Sequence, residues 1–138
     1  MAKLHALDGI RVLIVDDDAD ARDMYRFALE HYGASVQVAG NEEAAFAIAV
    51  DWLPHVVVTD FLLSGGPTGA DLCARLHAHS RTAHIPALVV TGSTRKGDAE
   101  KVLGAGCADI RIKPYLPDDM VGDVLRLSTP PSARERTA

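Results

Sequence analysis

The chain has 138 residues, with 48% hydrophobic and 24% charged side chains. That is the size of one ordinary domain, large enough to bury a core, and too ordered in composition for wholesale disorder or a collagen-like repeat. Its 14 basic and 19 acidic side chains give a net charge of −5, which argues against a non-specific nucleic-acid or anionic-membrane binder, since either needs a basic surplus.

Cys73 and Cys107 are the two cysteines. They make neither a disulfide framework nor a four-ligand zinc site, so a reduced, cytoplasmic setting is expected. Cys73 reads as core packing and Cys107 as a small residue in a tight turn. The first nine residues carry no apolar signal core, and the longest apolar runs are of strand length, well short of the ~20 residues of a membrane helix. No membrane association is expected.

In chain order, Ile10–Val15 is a continuous apolar run, the pattern of a strand buried on both faces. Ala21, Met24, Tyr25, Ala28 and Leu29 then form one amphipathic stripe, closed by Gly33. Ala34–Ala39 is a second, more alternating strand. Asn41 is a candidate N-cap, with Glu42 and Glu43 in the first turn of a helix whose stripe is Ala44, Ala45, Ile48, Ala49 and Trp52. His55–Thr59 is the third strand, Ala70–Ala78 a helix, and Ala87–Thr91 the fourth strand. Arg95–Leu103 is a helix, Ala108–Ile112 the fifth strand, and Pro117–Leu127 a final helix with proline in its first turn.

Five β-α units in strict alternation predict an α/β fold with a parallel sheet and helices on both faces. The domain is expected over residues 1–127. Residues 128–138, with two prolines and no apolar periodicity, are expected to be a disordered tail.

In such sheets ligands bind beyond the carboxyl ends of the strands, so the residues there matter most. They are Asp16, Asp17 and Asp18 after the first strand, Asp60 after the third, Thr91 with Gly92 and Ser93 after the fourth, and Lys113 with Pro114 after the fifth. Adjacent carboxylates repel and call for a cation, and hard oxygen ligands of this kind suit Mg²⁺. A lone aspartate can be a nucleophile that forms an acyl phosphate. A lysine and a hydroxyl can hold the other phosphoryl oxygens. Each feature alone has an ordinary explanation: Asp16–Asp18 as an acidic helix cap, Asp60 as a turn residue, Thr91 as a strand residue, Lys113-Pro114 as a strand exit. Their joint placement at one sheet edge does not.

The pieces RVLIVDDDADAR, HVVVTD, LVVTGS and GAGCADIRIKP, in this order and at these intervals, resemble the receiver domain of bacterial two-component response regulators over about residues 8 to 127. The resemblance implies a flavodoxin-like, doubly wound sheet of order 2-1-3-4-5. It implies Asp60 as phospho-acceptor and Mg²⁺ as cofactor, held by Asp16, Asp17, Asp60 and the backbone carbonyl of Leu62. Lys113 would pair with the phosphoryl group, through a cis Lys113–Pro114 bond, and Thr91 would carry the switch, with Gly92 leaving space and Ser93 tuning phosphate loss. The implied partners are a histidine kinase or histidine phosphotransfer protein upstream and an effector protein downstream. That effector would read the surface of the last two helices and the fifth strand. No direct nucleic-acid contact is implied, and a homodimer is compatible with it. Both a single-domain regulator and a receiver cut from a hybrid kinase fit the opening residues.

The chain departs from the family pattern in two places. Ser64 stands where a proline is usual, and Gly69 falls one residue late, as if one residue were inserted after Asp60. Ile110 occupies the position of a switching aromatic, leaving Tyr115 as the nearby aromatic that could share that role. Leu62 cannot orient water as an amide would, which predicts slow self-dephosphorylation. Two other readings compete with this one. One is a receiver-fold scaffold that is never phosphorylated. The other is an Mg²⁺-dependent phosphatase with an aspartate nucleophile, which would need a second aspartate where Leu62 stands.

Overall fold

The computed structural model describes residues 3–129; the expected tail from 130 onward lies outside the described residues. The order is β1 (Arg11–Val15), α1 (Ala19–His31), β2 (Ser35–Ala39), α2 (Glu42–Trp52), β3 (Val56–Asp60), α3 (Gly69–Ala78), β4 (Ala87–Thr91), α4 (Lys96–Gly104), β5 (Asp109–Ile112) and α5 (Pro117–Ser128). The strands form one parallel sheet of order β2-β1-β3-β4-β5, as the resemblance implied. Element ends differ from the sequence reading by a residue or so. The last helix reaches Ser128, one residue into the stretch expected as tail.

The unbroken apolar runs are explained by two cores, one on each face of the sheet. Leu13, Val15, Val57, Ala87 and Val89 join a cluster completed by Ala45, Ala49, Leu72, Leu76 and Val102 from α2, α3 and α4. Their alternate neighbours Val12, Ile14, Val56, Val58, Leu88 and Val90 join a second cluster with Leu29 of α1 and Met120, Val121 and Val124 of α5. Because side chains alternate faces along a strand, a strand covered by helices on both sides has no polar positions to show.

Two side chains depart from the sequence reading. Met24, expected on the buried stripe of α1, is exposed together with Phe27, because α1 is fastened to the sheet chiefly through the fully buried Leu29. Glu42, expected as an ordinary first-turn acid, is buried and bonded by Arg75 of α3 at 2.7 Å. Arg75 in turn lies over the Phe46 ring, so α2 and α3 are joined by a partly desolvated ion pair. Cys73 in α3 is buried as expected, and Cys107 in the turn before β5 is buried too. Against the expectation of two reduced thiols, the structure joins them in a disulfide, because the packing of α3 beside this turn brings their Cα atoms to 5.7 Å.

Among the described residues no helix is long and apolar enough to cross a membrane.

Candidate functional site

The strand order reverses between β1 and β3, and the carboxyl ends of these two strands flank the crevice where such sheets bind ligands. Thr59 of β3 is paired with Val15 of β1, so Asp16 and Asp60, each next in the chain, emerge side by side. The run of three aspartates divides its labour. Asp18 caps α1, its side chain accepting the Asp20 N–H. Asp16 and Asp17 instead join Asp60, and one carboxylate oxygen from each of the three lies within 4.8 Å of the others.

Asp16 is buried and accepts the Asp18 N–H at 2.9 Å. Burial raises its pKa, and the neighbouring Asp60 and Asp17 charges push in the same direction. Three close carboxyl groups, one of them desolvated, are the donor set a hard divalent cation satisfies, so the residues present fit Mg²⁺.

Lys113 follows β5 and closes the other side. Its Nζ lies 3.1 Å from Asp60 Oδ2, and its backbone N–H donates to the Thr91 carbonyl at 2.8 Å. Burial alone would lower the ammonium pKa, but the hydrogen bond and charge of Asp60 outweigh it and raise it. The Lys113–Pro114 peptide is cis, as the resemblance implied. A pocket lined by Asp16, Asp60, Lys113, Tyr25, Met120 and strand residues opens here.

The remaining sequence-derived candidates are more dispersed. Thr91 is buried at the end of β4, its hydroxyl oxygen accepting the Ser93 N–H at 2.9 Å. Ser93 donates to Asp98 Oδ2 at 2.6 Å and accepts the Arg95 N–H, so its hydroxyl is engaged in opening α4. A Cβ on Gly92 would meet open space. Ile110 is partly buried against the core on the α2–α4 side. Leu62, two residues past Asp60, has a side chain 69% exposed.

The late glycine finds its explanation here. Gly69 sits so close to β3 that a Cβ would run into the Asp60 carbonyl oxygen and crowd Thr59, and its N–H donates to Phe61 at 2.7 Å. The close approach is therefore kept. The extra length lies upstream, where Gly65 and Gly66 adopt φ of 92° and 104°, a region open to glycine at little cost. Thr68 and Asp71 then close a capping box that starts α3.

Two contacts of this region have no signature in the local sequence pattern, the bond of Tyr25 to the Tyr115 carbonyl and the ion-pair cluster around Asp123. Tyr25, counted there only as an apolar stripe position, donates its hydroxyl to the Tyr115 carbonyl at 2.7 Å. Tyr115 is buried and donates to Asp123 Oδ2 at 2.6 Å, so it is anchored to α5. Asp123 also accepts both Arg111 Nε and Nη2 and Arg126. The i, i+3 spacing of Asp123 and Arg126 was legible; their meeting with Arg111 and Tyr115 was not.

A parallel sheet of this order with an acidic crevice at its switch point and a lysine closing it defines a receiver-like architecture. The family model of the response regulator receiver domain matches residues 12–125, and the chain belongs to that family. It is therefore a receiver domain of a response regulator in two-component signalling, and that family is one of signalling domains, generally not dedicated enzymes. It is 33% identical over 132 residues to a 14.6 kDa protein encoded in the sodA1 3′ region of Leptolyngbya boryana, covering 94% of this chain and 100% of that one. It is 34% identical over 113 residues to the phosphate regulon transcriptional regulatory protein PhoB of Pseudomonas aeruginosa, covering 82% of this chain but 49% of PhoB. The chain thus spans about half the length of relatives such as PhoB. Among solved structures it resembles a putative response regulator from Chloroflexus aurantiacus, with a TM-score of 0.79, 30% identity and coverage of 86% and 97%. The fold is also that of the chemotaxis response regulator CheY4 of Vibrio cholerae, with a TM-score of 0.78, 24% identity and coverage of 86% and 98%.

Proposed function

We propose that Asp60 takes a phosphoryl group from a phosphohistidine on a histidine kinase or phosphotransfer protein. The observation that carries this reading is the Lys113 ammonium 3.1 Å from Asp60, beside three carboxyl groups gathered within 4.8 Å. An Asp60 oxygen attacks phosphorus, the P–N bond breaks, and its electron pair returns to the histidine nitrogen. The product is an acyl phosphate on Asp60.

Asp16, Asp17 and Asp60, with the Leu62 carbonyl, would hold Mg²⁺. When bound, the ion neutralises charge on the transferring oxygens and relieves the repulsion among the carboxylates. Lys113 orients the group from the opposite side. The phosphoryl group carries nearly two negative charges, and it would draw Lys113 from the Asp60 carboxylate to the new oxygens and the Thr91 hydroxyl toward the same charge. The consequences would be read on α4, β5 and α5 by another protein or another part of a longer chain. A cytoplasmic location fits this chemistry.

Intact mass after incubation with Mg²⁺ and acetyl phosphate tests the reading. Wild type should gain one phosphoryl group and Asp60→Asn none. No adduct on wild type, at short times and with a cognate kinase as donor, would favour an unphosphorylated scaffold.

A further inference from the structure

Lys113 has a problem of placement. Its side chain is long and 43% exposed, and an ammonium on a four-carbon stem has much rotamer freedom to lose. Its position against Asp60 therefore depends on how firmly its backbone is held. The strand ends at Ile112, and the turn through Lys113, Pro114 and Tyr115 runs from β5 to the start of α5. On the entry side, Lys113 N–H is bonded to Thr91 of β4 at 2.8 Å. Pro114 has no N–H to give. On the exit side, the Tyr115 carbonyl accepts the Tyr25 hydroxyl at 2.7 Å, a bond between α1 and the turn that spans 90 residues of sequence.

We propose that Tyr25 is a positioning residue for phosphoryl transfer: through the Tyr115 carbonyl it fixes the turn that carries Lys113 and so keeps the ammonium against Asp60. This rests on the receiver reading above. Tyr25 lines the same pocket as Asp16, Asp60 and Lys113. Its ring contacts the far side of the turn as well, tilted against Tyr115 with centroids 6.3 Å apart. Burial raises the phenol pKa, which keeps the hydroxyl a proton donor throughout the neutral range. The hydroxyl donates to the Tyr115 carbonyl and not to any of the three carboxyl groups, so its bond acts on the turn that carries Lys113 and adds no ligand to the cation site.

The test compares wild type, Tyr25→Phe, Lys113→Ala and the double variant, with initial rates of phosphoryl gain from acetyl phosphate and Mg²⁺ read by intact mass. Tyr25→Phe keeps the ring and removes only the donor. It should slow uptake roughly tenfold, within the range that small misplacements of a reacting group cost. In the Lys113→Ala background the same change should have no further effect, because residues acting as one unit are non-additive. The rise in melting temperature on adding Mg²⁺ should be equal in wild type and Tyr25→Phe. Tyr25→Leu, which also lacks the donor, is read in the same way should the phenylalanine variant not fold. Uptake at the wild-type rate, an equal slowing with and without Lys113, or loss of the Mg²⁺ response would each overturn the proposal. Failure of wild type itself to take up phosphate would overturn the receiver reading, and this inference with it.

Discussion

Lys113 Nζ reaches Asp60 Oδ2 at 3.1 Å although β4 lies between the two strands that lead to them. The lysine spans that strand because it leaves the sheet edge after β5, in a turn held to Thr91 and Tyr25. A half-exposed ion pair of this kind adds little to folding, about 0–1 kcal/mol. Lys113→Ala should therefore leave the unfolding free energy within about 1 kcal/mol of wild type and cut phosphoryl uptake at Asp60 at least tenfold. A thermal melt and an intact-mass time course on the same sample check both halves. Large destabilisation with normal uptake would make the lysine structural.

Leu62 projects into solvent two residues beyond Asp60. It offers an attacking water nothing to bind to. Leu62→Asn should shorten the half-life of the acyl phosphate by roughly tenfold or more, short of the ~10²–10⁴-fold that a fully positioned proton-transfer group contributes. Phosphate release after removal of the donor measures it, and an unchanged half-life would remove Leu62 from the account.

Two glycines should respond oppositely to the same substitution. At Gly69 a Cβ meets the rigid backbone of Asp60, so Gly69→Ala should cost about 1–3 kcal/mol, as overpacking does, and should displace the residues after β3. Gly97 lies in α4 with open space at its Cβ, and Gly97→Ala should be neutral or stabilising by about 0.4–1 kcal/mol. Denaturant melts of the pair decide this; similar values for the two would mean that the close approach at Gly69 relaxes freely.

The pH dependence of stability should carry the mark of Asp123. Burial alone would push its carboxyl up, but hydrogen bonds from Arg111, Tyr115 and Arg126 outweigh it and hold the pKa below the usual carboxylate value. A pKa lower in the folded than in the unfolded chain means stability that is present above about pH 4, the ordinary aspartate value, and lost as pH falls through the folded value. Asp123→Asn should cost roughly 1.5–3 kcal/mol at pH 7, the contribution of a hydrogen bond to a charged group, and should flatten the acid limb of the stability curve. Urea melts between pH 7 and pH 3 check the slope; parallel curves for the two proteins would contradict it.

Most of the site was legible in the chain because a parallel sheet puts the residues after its strands along one edge. Asp16, Asp17, Asp60, Thr91 and Lys113 all follow or end apolar runs that could be counted directly, and the helix cap at Asn41 was equally plain. Which of three consecutive aspartates would cap α1 was not plain, since all three are chemically competent and only the turn geometry selects Asp18. Nor was the late glycine interpretable, because its requirement comes from the backbone of Asp60 pressed against it.

The sequence by itself determined the order of elements, the burial of the sheet on both faces and the chemical types at its carboxyl edge, because these follow from local periodicity and from position relative to a strand. The tertiary structure alone decided the partnerships between distant elements: Glu42 with Arg75, Cys73 with Cys107, Arg111 and Tyr115 with Asp123, and Tyr25 with the Tyr115 carbonyl. No local pattern encodes such pairs, because each depends on where two packed helices or a helix and a turn come to rest, and that is set by how side chains fill the two cores between them.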